Sequence, residues 1–267
     1  MILKVALLVG CFMSCFGFSK DVSSRLTIIT LTSPASSNPR TFLLQLTQYS
    51  LYKNIPNFFE IPKIIVFDGA KNPLDEPNYN AFKGKVKELA EFHPHFQNTE
   101  IVFCKEHGHY SGALREALRH TKTEYAYIHQ EDLELLQPLD LQGLLDAMDQ
   151  NHNIKFVRLN DGINALGKSN TCDFYIDNYI EGGSAFPLLR TCGFGDHDQI
   201  SRKDYYEELV FPYIGDAKIF PDGIMMGKVA GDFLQDPKLH LKWGTYLYGG
   251  YGDGPFIRHL DRKSPVW

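Results

Sequence analysis

The stretch Thr123-Glu-Tyr-Ala-Tyr-Ile-His-Gln-Glu-Asp-Leu-Glu-Leu135 decides the fold of this chain. Its first half, residues 124–128, is rich in aromatic and β-branched residues and predicts a β-strand. The strand runs directly into two adjacent carboxylates, Glu131 and Asp132. Ligands of open parallel α/β sheets bind beyond the carboxyl ends of the strands. The stretch therefore predicts one element of such a sheet together with a site at its end.

Apolar segments on either side of this stretch alternate between two kinds of pattern. Short β-branched runs predict strands, and the segments between them carry apolar residues at helical spacing. Strands that alternate with helices predict βαβ units, and so a mostly parallel central sheet flanked by helices, a Rossmann-like α/β fold. The further strands are predicted at 26–32, 63–67, 100–104 and 154–159, and the helices at 41–53, 80–92, 110–120 and 139–151.

The character of the chain changes after about residue 160. Gly, Asp, Asn and aromatic residues dominate there, and no linker separates an independent second domain. We expect residues 25–160 to form the α/β part. Residues 161–267 are expected to form an irregular part that packs on the same domain.

The composition narrows the class of protein. Apolar residues make up 43% and charged residues 22% of the chain, close to the averages of globular proteins. The net charge is -5 and no long basic run is present, which argues against nucleic acid as a partner. The pattern G-x-x-x-x-G-K-[ST] is absent, and no G-x-G-x-x-G follows a strand. These two absences exclude P-loop kinases and dinucleotide-dependent oxidoreductases.

The N-terminus has the pattern of a targeting segment. Lys4 precedes an apolar run over residues 5–18, which is shorter than the roughly 20 residues that a spanning helix needs. We expect residues 1–18 to be a secretory signal peptide or a short signal-anchor, the one membrane attachment predicted. The protein would then reside in the lumen of the endoplasmic reticulum or Golgi, or be secreted. In such an oxidising compartment Cys172 and Cys192 could form a disulfide; the alternative is that both are small buried apolar residues.

Polar residues follow several of the predicted strands at one edge of the sheet. Thr32 and Ser33 follow the first strand, and Asp68 follows the second. Carboxylates at this edge can hold Mn²⁺ or Mg²⁺, and such a cation can bridge the two phosphates of a nucleotide-sugar. The ion would offset the charge that builds up on a leaving diphosphate. The alternative is a set of solvated acids that cap the strand ends.

The segment around residues 123–135 resembles the strand-plus-acid motif of family 2-like GT-A glycosyltransferases, whose usual form is Asp-x-Asp. Residues 109–118 resemble the helix of that family that helps to bind the nucleotide, and residues 27–32 and 64–69 resemble its first two strands. The resemblance covers about residues 25–160. It implies a GT-A fold and transfer of a sugar from a nucleotide-diphosphate donor to a glycan, protein or lipid hydroxyl.

The resemblance also implies roles for particular residues. Asp132 matches the last acid of the motif, which binds the metal, and Gln130 stands where the first acid would be. His259 matches a C-terminal histidine that supplies a metal ligand in some relatives. Because of Gln130, two alternatives stay open, a divalent cation (Mn²⁺ or Mg²⁺) and a cation-free variant. The candidate donor-binding residues, from the resemblance and from their places at strand ends or on the helix, are Thr32, Ser33, Asp68, Gly112, Arg115, Gln130 and Glu131. Arg115 could pair with a phosphate, and the alternative is a salt-bridged or snorkelling side chain.

A transfer that inverts the anomeric centre needs a carboxylate within hydrogen-bond reach of the acceptor hydroxyl. Asp196 and Asp198 lie in an unusual polar segment, and Asp222 lies between a proline and a glycine. All three are candidate catalytic bases, and the alternative is that they are acids of ordinary turns. A retaining transfer would not need this base in the same way.

Two other functions compete with this hypothesis. Asp68 ends a strand as in phosphatases of the haloacid dehalogenase type, but that family needs a second Asp where this chain has Ala70. The other alternative is a protein without catalysis, either a secreted or luminal sugar-binding protein or a degenerate transferase-like protein. The incomplete acid motif keeps that alternative open.

Overall fold

The computed structural model describes residues 21–166 and 175–260. Within those ranges, no helix combines the length and the apolar character that a bilayer crossing requires. The targeting segment predicted at residues 1–18 lies outside the described residues, as does Cys172. Cys192 is buried. The predicted secretory location and the Cys172–Cys192 pairing therefore stay predictions.

Eleven strands are found in the described part of the chain. Nine of them form one sheet and the other two form a small separate sheet. The strands are β1 (Leu26–Thr32), β2 (Lys63–Phe67), β3 (Thr99–Phe103), β4 (Tyr125–Gln130), β5 (Leu133–Leu135), β6 (Phe156–Arg158), β7 (Ile176–Asp177), β8 (Leu188–Thr191), β9 (Gln199–Arg202), β10 (Thr245–Tyr248) and β11 (Ile257–His259).

Helices lie between the strands, as the alternating pattern predicts. The 3₁₀ turns Pro73–Asp75 and Pro237–Leu239 each lead into a helix, and so does one π-helical segment, Tyr205–Val210. The α-helices are α1 (Val22–Arg25), α2 (Phe42–Asn54), α3 (Glu76–Phe92), α4 (His109–His120), α5 (Leu141–Gln150), α6 (Phe211–Ile214), α7 (Asp222–Gln235) and α8 (His240–Trp243).

The large sheet is parallel in its first half and mixed in its second. Its strand order is β3-β2-β1-β4-β9-β6-β10-β8-β7. β1 pairs in parallel with β2 and β4, and β2 pairs in parallel with β3. β9 runs antiparallel to both of its neighbours, β4 and β6, and β8 runs antiparallel to β10 and β7. The prediction of a mostly parallel α/β sheet is confirmed.

Residues after 160 complete this sheet. β9 inserts between β4 and β6, so the two strands that follow one another in the predicted βαβ series are not neighbours. β10 and β8 then extend the sheet beyond β6. The weak periodicity of this part has a simple cause, because its strands are only two to four residues long. The carboxyl ends of β1, β2 and β4 remain side by side at one edge.

Helices cover both faces of the sheet. All residues of β1 and β2 are buried, the pattern of parallel strands enclosed between two layers of helices. α2 and α5 pack on one face through residues such as Leu51 and Leu144, which share a core with Ile28. α4 packs on the other face through residues such as Leu114, which shares a core with Ile29. Ile28 and Ile29 point to opposite faces because side chains alternate along a strand.

The buried His240 makes the stability of the fold depend on pH. Its Nε2 atom lies 2.9 Å from the carbonyl oxygen of Thr245, and burial lowers the pKa of His240 to about 4. Because the unfolded chain binds this proton near pH 6.5 and the folded chain does not, stability is lost as the pH falls from 6.5 towards 4. We expect His240 alone to remove about 2 kcal/mol from the free energy of unfolding at pH 5.

Urea denaturation at pH 7 and pH 5 measures this loss. His240→Gln keeps a side-chain donor and cannot be protonated, so its free energy of unfolding should fall about 2 kcal/mol less than that of the wild-type protein over the same range. An equal fall in both proteins would show that His240 is not the responsible group.

Candidate functional site

A cleft of about 360 Å³ opens at the carboxyl edge of the sheet. β1 pairs in parallel with both β2 and β4, so the residues after these strands meet there, where ligands of α/β sheets bind. The cleft brings Asp68 and Asp132 to one site. The predicted residues that line it are Thr32, Ser33, Asp68, Gln130, Glu131 and Asp132.

Asp68 fixes the beginning of α4 at this cleft. Its carboxylate accepts hydrogen bonds from the backbone N–H groups of Gly108 at 2.7 Å and His109 at 3.0 Å. Nδ1 of His107 lies 2.7 Å from the same carboxylate. The close approach needs a glycine at position 69, because a Cβ there would lie 2.3 Å from the backbone of His107. The side chain of Asp68 thus positions α4 beside the cleft.

Hydrogen bonds hold the ends of β1 and β4, and the residues that follow them, in place. The backbone N–H of Ser33 donates to Oε1 of Glu131 at 3.2 Å, and the hydroxyl of Thr32 donates to the carbonyl of Val66 at 3.1 Å. Gln130 donates from Nε2 to the carbonyl oxygen of Asp196 at 2.8 Å. The carboxylate side chain of an acid at position 130 would have no N–H group to donate, so this hydrogen bond depends on the glutamine. The hydrogen bond holds the loop that contains Asp196 against the cleft.

Gly112 and Arg115 do not reach the cleft. Both line a second depression on another side of α4. The guanidinium of Arg115 donates to the carbonyl oxygen of Gly215 and lies over the ring of Phe211, 4.2 Å from its centroid. Arg115 therefore ties α4 to α6. The structure gives no support to a donor-binding role for Gly112 or Arg115, because the face of α4 that meets the cleft carries other residues, His109, Tyr110 and Ala113.

The small sheet brings together the two residues predicted as metal ligands. β11 pairs antiparallel with β5, with His259 opposite Leu133. Leu260 adds a backbone hydrogen bond to the carbonyl of Asp132 at 2.8 Å. As a result, Nδ1 of His259 lies 3.2 Å from Oδ2 of Asp132, although the two residues are far apart in the sequence.

Two further residues with metal-binding side chains lie beside His259. Asp161, His197 and His259 each offer a ligand atom within 4.8 Å of the others. Burial lowers the pKa of His197 to about 4; the negative charge of Asp161 opposes this shift and the positive charge of Arg158 contributes to it. Sequence reasoning missed Asp161 and His197 as candidate metal ligands. The signal for Asp161 was available, because it follows the fifth predicted strand as Asp68 follows the second.

Asp198 is removed from the candidate bases. Its side chain is 0% exposed, and its carboxylate accepts hydrogen bonds from the hydroxyl of Tyr127 at 2.7 Å and the backbone of Gln130 at 3.3 Å. Nδ1 of His129 lies 2.7 Å from the same carboxylate. A carboxylate with these partners and no exposure does not reach an acceptor hydroxyl. Asp198 instead joins β4 to the start of β9.

Asp196 and Asp222 remain as the candidate bases. Burial, together with the negative charges of Asp222 and Asp132, raises the pKa of Asp196 to about 6, and His259 opposes this rise. Asp222 begins α7 and is half-buried. Because Asp222, Asp132 and His259 all act on the carboxyl group of Asp196, the three residues lie in its neighbourhood. A carboxyl group whose pKa is near neutrality is suited to general base catalysis.

Aromatic side chains that sequence reasoning missed form one wall of the cleft. The rings of His109 and Phe220 meet edge-to-face with centroids 4.4 Å apart, and the ring of Tyr110 lies 5.7 Å from Phe220. Phe220 is 48% exposed, so part of its surface is available to a planar ligand. No periodic pattern marks these residues, because they come from a helix start and an irregular loop.

Comparison with known proteins identifies the class of fold. No sequence-family profile and no curated protein matches the chain. The mannosyltransferase PcManGT from Pyrobaculum calidifontis, solved in complex with GDP-Man and Mn²⁺, is similar with a TM-score of 0.54 and 16% identity over 90% of this chain. TarS from S. aureus is similar with a TM-score of 0.52 and 14% identity over 87% of this chain. TarS 1–349 in complex with UDP-GlcNAc is similar with a TM-score of 0.50 and 13% identity over 91% of this chain.

These similarities define the fold. The chain spans 58% of PcManGT, 36% of TarS and 61% of TarS 1–349. The expectation of a GT-A fold is confirmed: the protein has the α/β fold of GT-A glycosyltransferases.

Proposed function

We propose that the protein is a glycosyltransferase that moves a sugar from a nucleotide-diphosphate donor to a hydroxyl of a glycan, protein or lipid. The observation that carries the proposal is the contact of His259 with Asp132, an acid that lines the cleft at the carboxyl edge of a GT-A sheet. The similarity to a mannosyltransferase with GDP-Man supports the proposal.

The cleft offers separate surfaces for the parts of the donor. The rings of Phe220 and His109 suit a planar base, and Ser33 and Lys71 also line the cleft. A divalent cation beside Asp132 and His259 would offset the charge on the leaving diphosphate. The donor set of carboxylate oxygens and imidazole nitrogens fits such an ion. Mn²⁺ and Mg²⁺ are both candidates, and the former accompanies GDP-Man in PcManGT.

Asp222 is the proposed base of an inverting transfer. Its carboxylate would take the proton of the acceptor hydroxyl as the hydroxyl oxygen forms its bond to the anomeric carbon. The bond between that carbon and the diphosphate breaks in the same step, and the diphosphate leaves with its electron pair. The raised pKa of Asp196 makes Asp196 the second candidate, since the two carboxylates are neighbours.

The location of the transfer rests on the N-terminal sequence. A signal peptide or signal-anchor would place the enzyme in the secretory pathway or outside the cell. The acceptor would then be a luminal or extracellular glycan, protein or lipid. A hexosyl or related sugar is the proposed cargo, and GDP- and UDP-sugars are the first donors to test.

Nucleotide binding separates this function from a sugar-binding protein without catalysis. We expect UDP or GDP with Mn²⁺ to raise the melting temperature, because a ligand at 100 times its Kd stabilises the folded state by about 2.7 kcal/mol. Differential scanning fluorimetry with each nucleotide, with and without Mn²⁺, measures the shift. Free sugars serve as the comparison. A shift with sugars and none with any nucleotide would favour the sugar-binding protein.

A further inference from the structure

Asp161, His197 and His259 form a cluster of which the family resemblance includes only His259. Asp161 follows β6, His197 precedes β9 and His259 ends β11. The fold nevertheless brings one ligand atom of each within 4.8 Å of the others. Small side-chain movements would bring these atoms around a single ion, because bonds of about 2.0–2.2 Å to nitrogen and oxygen require ligand atoms no more than about 4.4 Å apart.

In its contact with His259, Asp132 takes the position of a carboxylate that orients a metal-binding histidine without binding the metal itself. Histidines that bind metal usually donate their other ring N–H to a carboxylate, which fixes the orientation of the ring. Nδ1 of His259 lies 3.2 Å from Oδ2 of Asp132. A proton on Nδ1 serves that hydrogen bond, and the lone pair of Nε2 is then the one that His259 can offer to an ion.

His197 supplies an independent indication of a ligand. Its side chain is only 8% exposed, and its Nδ1 atom has no hydrogen-bond partner among residues 21–166 and 175–260. Buried polar atoms are otherwise almost always paired. The ring of His197 meets that of His259 edge-to-face, with centroids 5.4 Å apart. A bound ion would give the buried nitrogen a partner.

The ligand types select among divalent ions. Imidazole suits zinc, copper, iron and nickel, whereas Mg²⁺ prefers oxygen ligands and keeps several waters. Two imidazoles with one carboxylate therefore favour a first-row transition metal over Mg²⁺. Three protein ligands also leave coordination positions open for a further molecule, as catalytic metal sites require.

We propose that the protein binds one divalent transition-metal ion through Asp161, His197 and His259, with Asp132 orienting the ring of His259. The open coordination positions of the ion would accept the diphosphate of the donor, and this part of the proposal rests on the proposed function. Binding of the ion itself does not require that function.

Titration of the metal-free full-length protein with Co²⁺, Mn²⁺ and Mg²⁺, without nucleotide, tests the site. Isothermal titration calorimetry gives the Kd for each ion. We expect Co²⁺ and Mn²⁺ to bind more tightly than Mg²⁺. We expect His197→Gln to weaken Co²⁺ binding about 100-fold or more, and Asp132→Asn to weaken it about 10- to 100-fold, the usual range for an outer partner.

His152→Gln is the matched control, because His152 is an exposed histidine outside the cluster, and it should leave the Kd unchanged. Pulsed electron paramagnetic resonance of the Mn²⁺-loaded wild-type protein needs no variant, and it should detect two coordinated imidazole nitrogens. Tighter binding of Mg²⁺, no binding of Co²⁺ or Mn²⁺, or fewer than two coordinated nitrogens would overturn the proposal. Metal binding with two nitrogens but no nucleotide binding would instead retain this site and reject the glycosyltransferase.

Discussion

Asp132→Asn is expected to lower the rate of sugar transfer by about 100-fold or more, because the variant loses the negative charge beside the proposed cation. Asparagine has nearly the same shape as aspartate. The backbone hydrogen bond from Leu260 to the carbonyl of residue 132 is retained, so β5 and β11 should stay paired. Turnover of UDP- and GDP-sugars, followed as released nucleotide over a range of Mn²⁺ concentrations, measures the loss.

A matched substitution of an exposed acid separates the effect of losing a negative charge from the effect of altering the site. Asp204 is an exposed acid that makes no side-chain cap hydrogen bond at the following helix, so Asp204→Asn should turn over donor at the wild-type rate. Circular dichroism of both variants reports whether the fold is intact. Wild-type turnover by folded Asp132→Asn would reject the assignment of Asp132 to the site.

Asp222→Asn is expected to lower the transfer rate by about 10²- to 10⁴-fold, the usual contribution of a general base. An asparagine side chain cannot take the proton of the acceptor hydroxyl. Binding of the donor should be almost unchanged, because the base acts on the acceptor. The measurement is transfer to acceptor under saturating donor, together with the Kd of the donor nucleotide.

Two further variants, Asp196→Asn and Asp216→Asn, complete the test of the catalytic base. Asp216 is an exposed acid between α6 and α7, and its variant should keep wild-type activity. If Asp196→Asn is the severe variant and Asp222→Asn the mild one, the base is Asp196, whose pKa is raised to about 6. Wild-type activity in both would contradict an inverting transfer that uses either carboxylate.

The residues at the carboxyl edge of the sheet could be predicted from the sequence because the patterns that indicate them are local. The run that forms β4 ends in acids, and the runs that form β1 and β2 end in Thr32 and Asp68, so the parallel pairing of these strands was enough to place a cleft. The contact of Asp132 with His259 came instead from the family resemblance. No local pattern indicates that β11 pairs with β5.

The errors in the predicted site have a common physical cause. Whether Asp198 is a free base or a buried acceptor depends on Tyr127 and His129, which lie on β4 and meet it only because β9 inserts beside that strand. The side of α4 that faces the cleft depends equally on tertiary packing. Helical spacing shows that Arg115 belongs to a helix but does not show that it packs on Phe211.

The pairing of β5 with β11 has a consequence for the order in which the protein is made. Arg258 and Glu134, which form an ion pair across the two strands, are separated by 124 positions. During synthesis the nine-stranded sheet is available once β10 has left the ribosome, whereas β11 comes later. A chain that is released without residues from Ile257 onward contains all nine strands of the large sheet but has no His259 beside Asp132. The proposed function then predicts that such a chain is inert towards donor sugars.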